Sequence, residues 1–129
     1  MFNIQTEGDV PGMILPEQCE TIKKVASTLP DNANVLEIGC WAGKSTWCWL
    51  SGLSSNASMT TVDPFVLDHR TTKHAKRQKK IWYNETVNEV MRYFVKNGGV
   101  ETWRAVINEH PNKIAHKNLY VGYSHLIRP

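Results

Sequence analysis

Apolar residues recur along the chain with two spacings, one typical of helices and the other of buried strands. The first helical pattern begins at Pro16, a residue that suits a first helical position. Apolar residues then recur every three or four positions: Cys19, Ile22, Ala26 and Leu29. Similar spacing predicts a second helix at about 44–53, a long helical region at about 73–97 and a shorter helix at about 100–109.

Three short apolar runs predict strands at about 34–38, 58–63 and 118–122. Pro64 closes the second run, because proline cannot donate a hydrogen bond to a strand ladder. The predicted order of elements is α-β-α-β-α-α-β. Crossovers of this kind give a parallel sheet with right-handed connections, so the pattern predicts a single α/β domain.

The stretch that joins the first two predicted strands carries most of the chemical information. Glu37 lies near the end of the first strand, and Gly39 and Gly43 bracket the turn that follows it. Asp63 ends the second strand, about 20 residues beyond the turn. Nucleotide-binding βαβ units use such glycines to bring backbone N–H groups close to a ligand, and such an acid to hold ribose hydroxyls.

These acids and glycines resemble motif I, and the acid that follows it, in class I S-adenosylmethionine-dependent methyltransferases. The surrounding sequence segments, L-E-I-G-C-W-A-G-K-S-T and T-V-D-P-F, resemble the small-molecule O-methyltransferase branch often labelled family 24. The resemblance implies a Rossmann-like three-layer sandwich with strand order 3-2-1, the N-terminal half of the family's seven-stranded sheet. It also implies S-adenosylmethionine as the cofactor and a small molecule as the methyl acceptor.

The resemblance further implies a set of cofactor-binding residues: Glu37, Gly39, Trp41, Gly43, Ser45, Asp63 and Ser124. Glu37 would face the cofactor's amino group, the two glycines would make room for its methionine part, and Asp63 would bind both ribose hydroxyls. No catalytic base is assigned. No metal is assigned either, because the pair 68–69 offers too few ligands.

Three of these residues have other roles open to them. Trp41 would shield the cofactor's sulfonium, but core filler or a partner contact suits this side chain better. Ser45 would touch the cofactor carboxylate or simply cap the following helix. Ser124 would lie beside the adenine ring. In the resembled family the lead-in folds over the cofactor, although Met13 and Ile14 are expected here to plug the core.

Two further functional interpretations stay open. One is a non-catalytic cofactor-binding or assembly module that keeps the fold without turnover. The other is a P-loop nucleotide binder, because residues 39–45 read G-C-W-A-G-K-S. A P-loop needs four residues between its first glycine and the Gly-Lys-Ser, and this chain has three, so this interpretation is the weaker one.

The net charge of +3 comes from one segment of the chain. Residues 69–80 carry six Lys or Arg and no acid, which leaves a balance of −3 for the remainder. This segment, with Trp82 and Tyr83 behind it, fits an anionic partner such as nucleic acid. A solvated helix face is the commoner role of such a run, so nucleic-acid binding is an alternative that we do not favour.

Cysteine usage and hydropathy bear on the compartment. Cys19, Cys40 and Cys48 have no metal-ligand spacing and form an odd set, so free thiols in a reducing compartment are expected. No apolar run approaches the ~20 residues of a membrane span, and the N-terminus is too polar for a signal peptide. We therefore expect a cytoplasmic protein without membrane contact.

The resemblance also leads to an expectation about completeness. In that family a fourth strand lies beside strand one, and the chain reaches Pro129 before such a strand. Strand one, with Val35, Leu36 and Ile38, would then be an apolar edge of the kind that attracts a partner. We expect residues 1–129 to be one domain truncated at its C-terminus, or a homo-oligomer whose interface covers strand one.

Overall fold

The computed structural model describes residues 2–65 and 84–126. The helices in these ranges are α1 (Pro16–Ser27), α2 (Lys44–Gly52), α3 (Glu85–Asn97) and α4 (Gly99–Asn108). The strands are β1 (Asn34–Ile38), β2 (Ser58–Asp63) and β3 (His116–Val121). Short 3-10 turns lie at Glu7–Asp9, Lys113–Ala115 and Ser124–Leu126.

Most predicted elements are confirmed, and the first two strands have the predicted bounds. The third strand begins at His116, two residues before the predicted start, because the chain enters the sheet directly from a 3-10 turn. The lead-in is not wholly irregular, since Thr6 caps a short turn within it. Residues 66–83 lie outside the described ranges, and with them the first half of the predicted long helix and the basic segment 69–80.

The three strands form a parallel sheet in the order β1-β2-β3. This confirms the predicted order 3-2-1, with β2 in the middle. Glu37 lies opposite Thr61 in the register between β1 and β2, and Asp63 lies opposite Val121 in the register between β2 and β3. The C-terminal ends of β1 and β2 therefore lie next to each other at the same end of the sheet, and the glycine turn lies there too.

The described helices cover one face of this sheet. Met59 on that face belongs to a single buried core with Ala26 of α1, Trp47 of α2, Val90 of α3 and Trp103 of α4. The parallel register places three other large side chains together on the opposite face, where 62, 64 and 51 % of their surfaces are exposed: Leu36, Ile38 and Tyr120. The prediction of three layers is thus not met within residues 2–65 and 84–126, which form two.

A disulfide joins the first two helices. Cys19 of α1 and Cys48 of α2 are fully buried, and their Cα atoms lie 5.5 Å apart. Gly52 permits this close packing, because a Cβ atom there would lie 2.8 Å from the Cβ of Ala26. The expectation of three free thiols is therefore wrong for two cysteines, since only the packing of α1 on α2 brings them together. Cys40 is free and buried.

Within the described ranges, no helix has the length and apolar character that crossing a membrane requires.

Candidate functional site

A pocket of about 450 Å³ opens at the C-terminal ends of β1 and β2. Ligands of open α/β sheets bind at this end of the strands, and the volume lies within the usual range for small-molecule sites. The glycine turn, the end of β2, the lead-in and the α3–α4 junction all contribute to its wall: Gly12, Met13, Ile14, Gly39, Cys40, Trp41, Lys44, Ser45, Asp63, Phe65, Phe94 and Gly99.

Asp63 fixes the shape of the glycine turn. Its Oδ2 atom accepts hydrogen bonds from the backbone N–H groups of Cys40, at 2.7 Å, and of Trp41, at 3.4 Å. Its Oδ1 atom accepts a third from the N–H group of Phe65, at 2.6 Å. The carboxylate that the sequence assigns to ribose binding therefore also holds the two loops that form the pocket mouth.

Two bulky aromatic residues of the pocket have an unusual backbone conformation. Trp41 has a φ of 43° and Phe65 a φ of 50°. Positive φ is strained for large side chains, and such strain is concentrated at functional sites. The Trp41 ring packs edge-on against Phe94, with 5.7 Å between the ring centroids. The strain thus places aromatic surface along one wall of the pocket.

The two glycines of the turn play different roles. Gly39, at a φ of 83°, lines the pocket, and a Cβ atom there would have no neighbour within 4 Å. Gly43, at a φ of 100°, instead faces α4, where a Cβ atom would lie 3.2 Å from Ile107 and 3.3 Å from Trp103. That both glycines make room for the cofactor stays a prediction. The open space at Gly39 is compatible with it, whereas Gly43 makes room for α4.

Glu37 lies behind the pocket wall and is not part of its lining. Only 7 % of its surface is exposed, and three hydroxyl groups donate hydrogen bonds to its carboxylate. They come from Ser45 at 2.6 Å, from Thr61 at 3.0 Å and from the buried Thr46. Burial raises the pKa of the Glu37 carboxyl, and the hydroxyl donors partly offset that effect. The pocket residue Ser45 thus donates to the Glu37 carboxylate. A contact of Glu37 with the cofactor's amino group, directly or through water, stays a prediction.

The network around Glu37 extends to β3 and α4. The Thr61 hydroxyl lies 2.8 Å from Nε2 of His116, and Nε1 of Trp103 donates to the Thr46 hydroxyl at 3.2 Å. Since Thr61 donates its proton to Glu37, the hydrogen-bond pattern assigns a proton to Nε2 of His116. Burial lowers the pKa of His116 to about 4, so the ring is neutral near pH 7.

The structure also revises the expectations for two serines and one apolar residue. Gly43, not a serine, is the N-cap of α2, so the capping role predicted for Ser45 is wrong. Ser124 is exposed in a 3-10 turn after β3, and the structure does not bring it to the pocket. Met13 is 77 % exposed and lines the pocket, so it does not plug the core.

Sequence reasoning missed several residues that line the pocket: Gly12, Lys44, Phe65, Phe94 and Gly99. Gly99 has a packing reason, because a Cβ atom there would lie 3.1 Å from the Phe65 ring. Lys44 directly follows the second glycine of the turn, as the lysine of a P-loop does. The comparison of residues 39–45 with a P-loop could therefore have indicated it as a pocket residue. The other residues come from distant parts of the chain, and a single sequence holds no signal for their convergence.

Outside the pocket, Ser51 and His110 form a hydrogen bond, but its direction fits a structural role and not activation of the serine. The Ser51 hydroxyl is 3.0 Å from Nε2 of His110 and donates to the carbonyl oxygen of Trp47. Nδ1 of His110 accepts a hydrogen bond from the N–H group of Asn112, which assigns the ring proton to Nε2. This nitrogen donates to the serine and cannot take its proton. Burial lowers the pKa of His110 to about 4.

Among residues 2–65 and 84–126, no group of three His, Cys, Asp or Glu side chains is arranged to hold a metal ion. Comparisons of the chain with protein-family models, with curated proteins and with solved structures found no match.

Proposed function

We propose that the chain binds S-adenosylmethionine in the pocket at the ends of β1 and β2, as the cofactor-binding part of a methyltransferase with a small-molecule acceptor. One observation carries this proposal. Asp63, at the end of β2, accepts the backbone N–H groups of Cys40 and Trp41 in the glycine turn. An acid at the second strand thereby lies against the turn of the first strand, which is the arrangement that βαβ nucleoside sites use.

Asp63 keeps acceptor capacity for a ribose after these bonds are made. A carboxylate oxygen has two lone-pair directions, and Phe65 N–H takes one on Oδ1 while Cys40 N–H takes one on Oδ2. One direction on Oδ1 is left to accept from a ribose hydroxyl, whereas the second direction on Oδ2 is taken by the longer, 3.4 Å bond from Trp41 N–H. The same atom group thus supports both the loops and the proposed ligand.

The remaining walls suit a purine and a thioether better than a chain of phosphates. Trp41, Phe65 and Phe94 supply aromatic surface, and Met13 and Ile14 supply aliphatic surface. Aromatic rings pack favourably on flat ligands and attract a cationic sulfonium. This lining argues against the P-loop interpretation, as does the Ser45 hydroxyl, which donates to Glu37 at 2.6 Å.

The cofactor brings a reactive methyl group, and the protein's contribution to such a transfer is largely positioning. In this proposal the strained turn residue Trp41 and the loop residue Phe65 fix where the sulfonium and the adenosine lie. The catalytic residues and the identity of the acceptor are not assigned.

Titration calorimetry tests the proposal with S-adenosylmethionine, S-adenosylhomocysteine and ATP. We expect saturable binding of the first two ligands and no competition from ATP. Asp63→Asn should abolish binding, whereas Asp31→Asn, which alters an exposed acid before β1, should leave it unchanged. Thermal melting must accompany the Asp63 variant, because this carboxylate also holds backbone groups. Absence of heat with folded wild-type protein would refute the proposal.

A second candidate is an assembly module, and the exposed face of the sheet favours it. Leu36 and Ile38 of β1 are 62 and 64 % exposed, and within the described residues β1 pairs with β2 alone. An unpaired apolar edge strand is a template for pairing with another chain. We propose that this edge is covered by a second copy of the chain, with or without catalytic turnover.

The cytoplasmic location remains a prediction. The Cys19–Cys48 disulfide argues in the other direction, because structural disulfides are rare in reducing compartments. Counting free thiols in protein isolated under acid quench from its native cells distinguishes a reducing compartment, where both cysteines stay free, from an oxidising one, where they are paired.

A further inference from the structure

A chain of hydrogen bonds runs from the pocket residue Ser45 through the buried Glu37 to a half-buried histidine at the start of β3. Ser45 and Thr61 donate to the Glu37 carboxylate at 2.6 and 3.0 Å. The Thr61 hydroxyl also lies 2.8 Å from Nε2 of His116. Thr61 is fully buried, whereas Ser45 and His116 keep part of their surface exposed. The ends of the chain are thus more accessible to solvent than its centre.

The donors in this network show where its protons lie. Nε1 of Trp103 can only donate, and it donates to Thr46, which in turn donates to Glu37. Glu37 therefore accepts from three hydroxyl groups, and His116 carries its own proton on Nε2. In the part of the chain that the structure describes, no group donates to Nδ1 of His116. This nitrogen has a lone pair that can take a proton.

We propose that Glu37 and His116 form a proton switch, in which a proton taken up at Nδ1 of His116 leaves Glu37 protonated. An N–H bond forms at Nδ1, the Nε2 proton passes to the Thr61 oxygen, and the Thr61 proton passes to Glu37. The ring ends neutral with its proton on Nδ1, Glu37 ends as a carboxyl group, and Thr61 donates to Nε2. One proton is taken up from solvent, and the two internal transfers follow hydrogen bonds of 2.8 and 3.0 Å.

The surroundings of both groups favour this protonated state. Burial raises the pKa of the Glu37 carboxyl from 4.5 and Asp63 raises it further, although the hydroxyl donors offset part of this. Burial lowers the pKa of His116 to about 4, so an added proton is more stable on Glu37 than on the ring. The other titratable or charged groups nearby are Cys40, which lies in the field of Glu37, and three residues that share a cavity with His116: Glu101, Arg104 and Lys113.

The switch acts on the pocket through α2. Ser45 and Thr46 belong to the first turn of this helix, and Ser45 lies in the pocket wall. Hydrogen bonds to an ionised group are about twice as strong as those between neutral groups, so protonation of Glu37 loosens its hold on this turn. The pocket wall and a histidine on a different element therefore respond to the same proton.

NMR titration of the whole protein tests the switch without any ligand, so its result is independent of the proposed function. Imidazole nitrogen shifts distinguish an N–H nitrogen from a bare one, and the side-chain carboxyl carbon shift of Glu37 reports its ionisation. As the pH falls, the His116 proton should move from Nε2 to Nδ1 with the same midpoint as Glu37. The backbone N–H signals of Ser45 and Thr46 should shift with that midpoint too. A His116 ring that becomes an imidazolium without exchanging its tautomer, or that titrates apart from Glu37, would overturn the proposal.

Two substitutions of Thr61 form a matched pair for the same titration. Thr61→Ser keeps the hydroxyl and should keep the shared midpoint, whereas Thr61→Val keeps the shape and should separate the midpoints of Glu37 and His116. His110 is an internal control, because its Nδ1 already accepts from the Asn112 N–H group, and its proton should stay on Nε2 while Glu37 titrates. A shared midpoint in folded Thr61→Val would contradict the relay. If that variant fails to fold, the wild-type titration alone decides.

Discussion

Glu37 and Thr61 lie opposite each other in the register of β1 and β2, and the Thr61 hydroxyl donates a 3.0 Å hydrogen bond to the Glu37 carboxylate. An acid inside an apolar strand is costly unless it is satisfied. Here it is satisfied by hydroxyl groups from two elements, Thr61 of β2 and Ser45 and Thr46 of α2. The carboxylate therefore joins both strands to the helix that carries the pocket wall.

This relationship predicts losses of stability of different size for two substitutions of Glu37. Glu37→Leu leaves the buried hydroxyls of Thr46 and Thr61 without their acceptor and should lower the free energy of unfolding by about 2–4 kcal/mol. Glu37→Gln keeps one carbonyl oxygen and should cost less than about 1 kcal/mol. Urea denaturation at pH 7.5 compares them, and equal stability of the two variants would contradict the network.

Acidification should destabilise the protein through two histidines, the buried His110 and the half-buried His116. His110 and His116 have a pKa of about 4 in the folded protein, against 6.5 for an ordinary histidine. The unfolded chain therefore binds more protons between these values, and stability is lost as the pH falls from 6.5 to 4. The slope should approach about 1.4 kcal/mol per pH unit for each ring at most.

A histidine variant separates this effect from other titrations. In His116→Gln, the amide can still donate to Thr61 in place of Nε2 but cannot titrate. Denaturation curves at pH 7.5, 6.0 and 5.0 should show a shallower pH dependence for this variant than for wild type. Glu37 acts with the opposite sign, because its raised pKa means that stability is lost as the pH rises through it. If the pH dependence of unfolding is the same in His116→Gln as in wild type, the His116 ring does not cause the loss of stability in acid.

The strand bounds could be predicted because their signals are local. A glycine follows Asn34–Ile38 and a proline follows Ser58–Asp63, so these turn residues and the apolar pattern are enough to predict where each strand ends. The start of β3 at His116 lacks such a signal. Asp63 could be predicted for the pocket because its position follows from strand length alone, whereas Ser124 lies beyond the last strand, where nothing local fixes the path.

Other features depend on contacts between distant residues. The sequence indicates that Glu37 needs a partner, but only the register of β1 against β2 shows that Thr61 is one. The roles of Gly43 and Lys44 are set by α4 and by the lead-in, which return to the turn from opposite ends of the chain. The disulfide likewise requires knowing how α1 packs on α2.

The Cys19–Cys48 disulfide should contribute about 2–4 kcal/mol to stability, because it restricts the unfolded chain between residues 29 apart in sequence. Mass spectrometry after alkylation should find one reactive thiol in the unfolded, unreduced protein and three after reduction. In the native protein Cys40 should react slowly, since burial and the nearby Asp63 raise its thiol pKa. Three alkylated thiols before reduction would show that the bond does not form.

The two glycines of the turn should respond differently to alanine. Gly39→Ala places a methyl group in open pocket space and should weaken S-adenosylhomocysteine binding at a folding cost of about 1–2 kcal/mol, the strain of a positive φ. Gly43→Ala adds contacts of 3.2 and 3.3 Å with Ile107 and Trp103 to the same strain and should destabilise the protein more. Calorimetry measures the loss of binding in each variant, and thermal melting measures the loss of stability. A larger melting loss in Gly39→Ala would reverse the assignment.

The apolar edge of the sheet predicts self-association. Leu36 and Ile38 expose most of their surface on the face of the sheet opposite the helices, and β1 is an edge strand of that sheet. Edge strands of this kind are commonly protected by charge. The double variant Leu36→Lys, Ile38→Lys should shift the protein from dimer or larger particles to monomer in light scattering at about 50–100 µM, a range well above the dissociation constant of a stable interface. Its charges face outward, so the fold should persist.

Val95→Lys is the matched control, because Val95 is an exposed apolar residue of α3, 43 % accessible and away from β1. It should leave the particle size unchanged. Ligand binding separates the assembly from the pocket, since the lysine variant should still bind S-adenosylhomocysteine if the site is complete within one chain. Loss of binding together with loss of association would mean that the second copy contributes to the pocket. A wild-type protein that is monomeric throughout this concentration range would exclude the edge of β1 as a self-association surface.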